Sequence, residues 1–125
     1  MSLRAFLEKA HQHGYLVIID REVDPHLEMA RIINALGGRP VLFTNVRGSD
    51  YRVVAGVCSA RKYFALALDI EEAQLLPTLI EALTNPVEPE VVASAPRQEV
   101  VEREVDLDKL PNLTHLPGDG GPYIT

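Results

Sequence analysis

Cysteine, tryptophan and basic residues are scarce in this chain, and each scarcity excludes a class of protein. A single cysteine in 125 residues cannot form an internal disulfide, which suits a reducing compartment. Tryptophan is absent, and 12 Lys and Arg against 18 Asp and Glu give a net charge of −6. We therefore expect no nucleic-acid partner, because such binding needs basic and stacking side chains.

Long apolar runs are also missing. No run approaches the ~20 residues of a membrane-spanning helix. The N-terminus carries charges every few residues and has no signal-type apolar stretch. We therefore expect a cytoplasmic protein without a membrane span. The apolar fraction, 46%, is too high for intrinsic disorder, and the length suits one domain, at most with the start of a second.

The first third of the chain has clear helix and strand signals. Apolar residues recur at helical spacing between Ser2, which can cap the helix, and Gly14, a natural stop. The run 15–19 predicts a strand that is buried on both faces or nearly so. Asp24 followed by Pro25 predicts the start of a second helix with Asp24 as its N-cap.

The middle of the chain predicts a hairpin and more helices. Strands at 40–46 and 51–57 flank a turn, which favours an antiparallel pairing. A helical pattern begins at Ser59, and a longer one at 70–84 contains Pro77. We expect a kink or two short helices there, with Pro77 in the first turn of the second.

Beyond residue 85 the composition changes. Residues 86–97 are a proline-containing connector, 98–105 alternate as a half-exposed strand would, and 106–110 predict one helical turn. The tail, 113–125, has no core pattern of its own, so we expect it to be mobile unless it pairs with a neighbour. The whole order predicts an α/β or α+β fold with helices packed on a small mixed sheet.

Two groups of side chains have the chemistry of metal ligands, but only the carboxylates have a suitable arrangement. His11 and His13 on the first helix point about 200° apart, so they cannot share a metal ion. Asp20, Glu22 and Asp24 alternate, so in an extended segment they face one way and could bind a cation. A solvated strand edge followed by an N-cap explains the same three residues.

Three further motifs are weak catalytic candidates. Ser59 and Lys62 match S-x-x-K, but the S-D-N and K-T-G elements of those enzymes are absent, and an N-capping Ser59 explains the serine. Cys58 is most simply a small core residue. The glycines at 118–121 lack the strand before and helix after that a dinucleotide loop needs, so we predict a tight turn that leads into a strand.

The tail carries the most specific signal. Residues 110–125, LPNLTHLPGDGGPYIT, resemble the "LP-x-x-TH-x-P-x-DGGPYIT" stretch of the UbiD family of decarboxylases, the 3-octaprenyl-4-hydroxybenzoate carboxy-lyase family. Residues 21–28 resemble its "REVDP-x-LE" segment, and 40–48, PVLFTNVRG, its "P-x-LFENVKG" hairpin. Leu116 departs from the pattern, which usually has an aromatic residue there.

The resemblance implies reversible decarboxylation of aromatic or α,β-unsaturated acids with prenylated FMN, Mn²⁺ or Mg²⁺ and K⁺. Complete members have an N-terminal α/β domain, a central split β-barrel for the flavin and a C-terminal domain involved in oligomerisation. We therefore expect residues 1–110 to be the N-terminal domain and 111–125 an extended tail that begins the barrel. The family's Glu-Arg-Glu catalytic network and its metal ligands lie beyond this point. Only Thr125 is implied near the cofactor.

Three hypotheses about the chain's role remain open from the sequence. The chain is part of a decarboxylase, either a fragment of a longer polypeptide or one piece of a split enzyme. Alternatively it is a small non-catalytic subunit that regulates or completes a separate catalytic partner. A third possibility is an independent binding domain. For the complete enzyme we expect a homo-oligomer, and for the isolated chain no bound flavin.

Overall fold

Four α-helices and three short strands form the regular structure in the computed structural model, which describes residues 2–95 and 99–122. The helices are α1 (Leu3–Gln12), α2 (Glu28–Ala35), α3 (Arg61–Leu68) and α4 (Leu75–Thr84). The strands are β1 (Val17–Ile19), β2 (Val41–Phe43) and β3 (Val53–Ala55), and 3₁₀ turns lie at Glu72–Gln74 and Leu107–Lys109.

The sheet is mixed, as predicted. Its strand order is β1-β2-β3; β1 runs parallel to β2, with Val17 opposite Val41, and β2 runs antiparallel to β3, with Phe43 opposite Val53. The parallel pair is possible because α2 carries the chain back between the two strands. The predicted hairpin is therefore confirmed, although all three strands are shorter than the sequence pattern suggested.

Helices cover both faces of this sheet. Val41 and Phe43 are fully buried in one cluster with Met29 of α2. Leu42 points to the opposite face and packs against a second cluster, which includes Phe6 of α1 and Tyr63 of α3. Alternation along β2 thus places one set of side chains under α2 and the other under α1 and α3, and the predicted fold class is confirmed.

The ends of α1 follow the predicted capping chemistry. The Ser2 side chain accepts a hydrogen bond from the Ala5 amide at 3.3 Å. Gly14 adopts a φ of +68° just after the helix, a conformation that a glycine reaches at little cost. Both signals are local, so the sequence pattern alone places this helix correctly.

Gly56 follows β3 at a close approach between two backbone segments. Its φ is +75°, and a Cβ built there would lie 2.8 Å from the carbonyl oxygen of Arg39. A side chain at this position would have to push the segment before β2 away. Because Gly56 has no side chain, the end of the hairpin can lie close to the segment that precedes β2.

Two predictions about the first third of the chain are wrong. β1 is not buried on both faces, because 46% of Ile18 is exposed. α2 does not begin after Asp24 but at Glu28. The residue before it, Leu27, has a φ of +66°, which no helical residue adopts, so residues 24–27 form a loop instead.

Two predictions in the second half are also wrong. Ser59 does not cap α3; Ala60 occupies that position, and Ser59 turns back to bond other segments. Residues 99–105, the described part of the predicted strand 98–105, contain no strand. Their alternating valines are exposed, so the pattern has no buried face to stabilise it.

The proline in the longer helical tract behaves as predicted. Pro77 is the third residue of α4, where its missing amide hydrogen breaks no helical hydrogen bond. A 3₁₀ turn at Glu72–Gln74 precedes α4, and Asn85 follows it. Leu75 is buried, whereas the outward residues of α4 are exposed, up to 83% at Leu83.

The described part of the tail is attached to the domain. Leu113 packs against the cluster under α2, and Thr114 is only 7% exposed. A second contact precedes them, because the Ser49 hydroxyl donates to the carbonyl oxygen of Lys109 at 3.1 Å. Leu113 and Thr114 thus pack against the N-terminal part of the same chain, although the tail has no core pattern of its own.

Candidate functional site

The place where the tail meets the loop 24–27, called the junction from here on, is held by backbone hydrogen bonds between the two segments. The Leu27 amide donates to the Thr114 carbonyl oxygen at 3.0 Å, and the Thr114 amide donates to the Pro25 carbonyl oxygen at 3.2 Å. His26 and Thr114 are thereby bridged in parallel, like residues of neighbouring strands. The junction ties two segments that lie far apart in the sequence.

Side chains within the loop set its conformation. One Asp24 carboxylate oxygen accepts from the His26 amide at 2.8 Å, and the Asp24 amide donates to the Glu28 carboxylate at 2.8 Å. The latter contact links the start of the loop to the first turn of α2. Leu27 lies within this hydrogen-bonded loop and has a positive φ, a conformation that is unfavourable for a leucine. The surrounding hydrogen bonds must therefore maintain it.

Arg47, in the turn of the hairpin, joins the carboxylates of this region. Its Nε donates to Glu22 at 3.0 Å and its Nη1 donates to Asp24 at 2.7 Å. Its backbone amide donates to the Val23 carbonyl oxygen at 2.9 Å. The alternation of Glu22 and Asp24 thus does bring two carboxylates to one side, but a guanidinium lies between them. Asp20 is exposed and takes no part in this group.

The electrostatic consequence is visible at two residues. The Asp24 amide, and then Arg21, whose Nη1 donates to the other Glu28 oxygen at 2.7 Å, lower the pKa of Glu28 below its usual 4.5. The hydrogen bond to Glu22, followed by the charge of Asp24, raises the pKa of Arg47. Both shifts favour the charged forms of Glu28 and Arg47.

The glycine-rich segment after the junction is a tight turn, as predicted. The Asp119 carboxylate accepts from the His115 and Leu116 amides at 3.0 and 2.8 Å, and the Asp119 amide donates back to the Leu116 carbonyl oxygen. Gly121 has a φ of +130°. The strand predicted to follow, and Thr125 with it, lie outside the described residues.

The two histidines of the first helix do not form a metal site. His13 Nδ1 lies 2.8 Å from the Lys9 carbonyl oxygen, and its ring stacks on Tyr15 at a centroid distance of 5.8 Å. His11 is exposed. Within residues 2–95 and 99–122, no three His, Cys, Asp or Glu side chains are grouped as a metal ion would need.

Ser59 and Lys62 do not form a catalytic pair. The Ser59 hydroxyl is placed to donate to the carbonyl oxygens of Gly38 and Gly56, the latter at 2.8 Å. The Lys62 ammonium instead lies over the Tyr15 and Tyr63 rings, 4.8 and 5.1 Å from their centroids, which is a cation–π geometry. Ser59 thus ties the end of β3 to the glycines after α2.

Cys58 is not a core residue, contrary to the prediction. It is exposed, at the edge of a shallow apolar cleft between α1 and α3 that Phe6 and Phe64 also line.

None of the helices in the described ranges has the length and apolar character that a bilayer crossing requires.

The junction is the part of the site that the sequence does not reveal. Asp24 and Glu28 are four residues apart, one more than the spacing of a capping box, so no local motif signals their hydrogen bond. Nothing in the sequence indicates that Thr114 would lie beside Leu27. Their pairing needs the tail to return to the first domain, which no local pattern encodes.

Two stretches of the sequence match known protein families. Residues 7–83 match the 3-octaprenyl-4-hydroxybenzoate carboxy-lyase N-terminal domain, and residues 90–125 match the Rift-related domain of that carboxy-lyase. The resemblance seen in the tail and in the two upstream segments is thereby confirmed. The two matches follow one another along the chain and together cover most of it.

A characterised relative and solved structures agree with these matches. The chain is 38% identical over 125 residues to the anhydromevalonate phosphate decarboxylase of Methanosarcina mazei. That alignment covers 100% of the chain but 29% of the relative, so the chain spans less than a third of its length.

Among solved structures, the UbiD-class enzyme HmfF of Pelotomaculum thermopropionicum in complex with FMN is 37% identical with a TM-score of 0.91. That alignment covers 100% of this chain and 29% of the HmfF chain. An evolved dimeric form of HmfF was solved in complex with prenylated FMN. The closed form of Sedimentibacter hydroxybenzoicus vanillic acid decarboxylase is 29% identical over 98% of this chain and 29% of its own, with a TM-score of 0.86.

Proposed function

The chain belongs to the UbiD family of 3-octaprenyl-4-hydroxybenzoate carboxy-lyases, and from this premise we propose that it is the N-terminal part of a larger decarboxylase. The proposed reaction is the reversible decarboxylation of aromatic or α,β-unsaturated carboxylic acids with prenylated FMN. The observation that carries the proposal is similarity along the entire chain to decarboxylases of which it spans 29%.

The proposed role of this chain is architectural. Residues 1–110 would form the N-terminal α/β domain, and residues 111–125 would begin the flavin-binding domain. Support comes from Ser49, which bonds Lys109 just before that boundary, and from Thr114, which is held just after it. Thr125 stays the proposed near-cofactor residue, since the segment that contains it matches the Rift-related domain.

A metal ion does not fit the described residues of this chain. No metal-binding group exists among them, and the carboxylates of the junction are already bonded to Arg47 and Arg21. We therefore assign Mn²⁺ or Mg²⁺, K⁺, the flavin phosphate and the catalytic residues to the rest of the complete enzyme. When bound there, the prenylated flavin supplies the electronic chemistry of decarboxylation.

The proposed partners are the rest of the enzyme and further copies of it. An evolved form of the solved enzyme HmfF is dimeric, which supports a homo-oligomer. We propose the cytoplasm as the location, because a single cysteine suits a reducing compartment. A small accessory subunit of a separate catalytic partner remains the alternative.

The test separates these two roles. The intact mass of the natural protein should exceed the 13.8 kDa of this chain, and the larger protein should purify with visible flavin absorbance and release CO₂ from an aromatic or α,β-unsaturated acid. The 125-residue chain alone should retain no flavin. A natural product of 13.8 kDa that purifies with a flavin-binding partner would establish the accessory role instead.

A further inference from the structure

The loop of the junction depends on side chains that come from outside it. Arg47 reaches Asp24 from the hairpin turn, and Glu28 reaches the Asp24 amide from α2. In turn, the loop offers the Leu27 amide and the Pro25 carbonyl oxygen to Thr114. A continuous series of hydrogen bonds therefore runs from the hairpin and α2, through the loop, to the tail.

We propose that Arg47, Asp24 and Glu28 are positioning residues for the domain that follows the tail. They hold the loop 24–27 in the one conformation that pairs with Thr114, and so fix where the turn at 118–121 begins. The docking part of this inference stands on the contacts of this chain alone. The link to the flavin rests on the proposed function.

The geometry at Arg47 explains why an arginine is needed. Nε and Nη1 address two different carboxylates at the same time, Glu22 at 3.0 Å and Asp24 at 2.7 Å. A lysine has one ammonium and no fixed fork, so it cannot reproduce both bonds. The Glu28 carboxylate also makes two different hydrogen bonds: one oxygen accepts from the Asp24 amide and the other accepts from Arg21.

The conformation of Leu27 shows what these contacts hold in place. A leucine at a φ of +66° is strained, so the loop would relax to another conformation if its side-chain bonds were lost. Relaxation would turn the Leu27 amide away from Thr114, because that amide belongs to the strained residue itself. The anchor of the tail would then be lost although both core clusters remained.

A purely structural ion-pair cluster is the competing explanation. The Arg47 side chain is 59% exposed and Asp24 32%, and exposed pairs contribute little to global stability. Such a cluster would leave the tail unaffected when Arg47 is removed. The two explanations therefore differ in local opening of the junction rather than in the free energy of unfolding.

Amide hydrogen exchange of the complete protein tests the docking. In Arg47→Ala the Leu27 and Thr114 amides should exchange about fivefold faster than in the unchanged protein, while the amides of β2 keep their rates. Arg47→Lys should resemble the alanine variant. Glu28→Gln should have a smaller effect, because its amide oxygen can still accept from Asp24.

Arg52 provides the matched control. It lies on the same hairpin, and its side chain has no hydrogen bond or ion pair to other residues in the described part of the chain. Arg52→Ala should leave both amides and the flavin content unchanged. If Leu27 and Thr114 exchange at unchanged rates in Arg47→Ala, the docking inference is wrong.

Flavin retention of the same variants tests the link to the next domain. Arg47→Ala and Arg47→Lys should release flavin faster and show an altered flavin absorbance at an unchanged free energy of unfolding, whereas Glu28→Gln should largely keep the wild-type spectrum. Faster exchange with unchanged flavin retention would refute the link and leave the docking intact. A complete wild-type protein without any flavin would instead refute the proposed function.

Discussion

At the scale of single residues, Glu28 uses both of its carboxylate oxygens. One accepts from the Asp24 amide, the other from Arg21, and Arg47 adds a favourable charge nearby. All three stabilise the ionised form, and only burial opposes them. The folded chain therefore binds a proton at Glu28 less readily than the unfolded chain does.

This predicts an acid-sensitive contribution to stability. Because the folded-state pKa of Glu28 lies below the usual 4.5, its contribution is fully present above that pH and disappears as the pH falls through the lower, folded-state pKa. Glu28→Gln should flatten the loss of stability in this acidic range relative to the unchanged chain. The check is urea denaturation of both proteins at a series of pH values below neutrality.

Asp69 is a useful comparison for that experiment. Its hydrogen bond with Lys9, and then the Lys9 charge, also lower its pKa, but Asp69 lies at the end of α3, away from the junction. Asp69→Asn should flatten the acid dependence of global stability without altering exchange of the Leu27 amide. An identical acid dependence of Glu28→Gln and the unchanged chain would contradict the prediction.

At the scale of elements, α4 combines one buried and several exposed leucines. Leu75 is 7% exposed and Leu83 is 83% exposed, at opposite ends of the same helix. Leu75→Ala should destabilise the chain by about 2–3 kcal/mol, since it removes buried apolar volume. Leu83→Ala should change stability by no more than about 0.5 kcal/mol.

The free energy of unfolding from urea titration, measured for both alanine variants, provides the comparison. The two substitutions remove the same atoms from the same helix, so differences in helix propensity largely cancel. Equal destabilisation by both would mean that α4 packs differently from the structure described above.

Elements with their own local signals could be predicted from the sequence. α1 lies between Ser2 and Gly14, and Pro77 marks the first turn of α4, as their side-chain chemistry requires. The strand predicted at 98–105 is absent from its described part, 99–105, because alternation produces a strand only where a neighbouring strand and a buried face exist. The prediction that Ser59 caps α3 is wrong because its hydroxyl donates to the carbonyl oxygens of Gly38 and Gly56 instead of accepting from the helix start.

The junction could be predicted only in part. The alternation of Glu22 and Asp24 predicts carboxylates on one side, but the cation that binds them is Arg47 from the hairpin turn. Its position depends on the β2–β3 pairing, which lies beyond any local pattern. The tail was recognised through its motif, which indicates a family and not a contact with Leu27.

At the scale of the whole molecule, the connector and the junction differ in exposure. Glu88 and Glu90 lie in the exposed stretch 86–94, which has no helix or strand, whereas Glu28 lies at the start of α2 with its carboxylate bonded. A glutamate-specific protease should therefore cut after Glu90 well before it cuts after Glu28, whereas Pro89 blocks cleavage after Glu88. Mass spectrometry of the early products of the 125-residue chain checks this order.

Cleavage in the connector also reveals whether the tail is held. The piece that contains Thr114 should remain with the N-terminal piece in a native separation, because the Leu27 and Pro25 contacts do not depend on the cut peptide bonds. Early cleavage after Glu28 would contradict the described loop. Immediate separation of the two pieces would show that the contacts at Thr114 are too weak to hold them.

The strand pairings determine which part of the chain can fold first during its synthesis. β2 and β3 are close in sequence, and β1 joins them across a single helix, so the whole sheet is available once residue 55 has left the ribosome. The partner of Leu27, Thr114, emerges much later. Arg47 can therefore already hold the loop 24–27 in its conformation before Thr114 becomes available to pair with it.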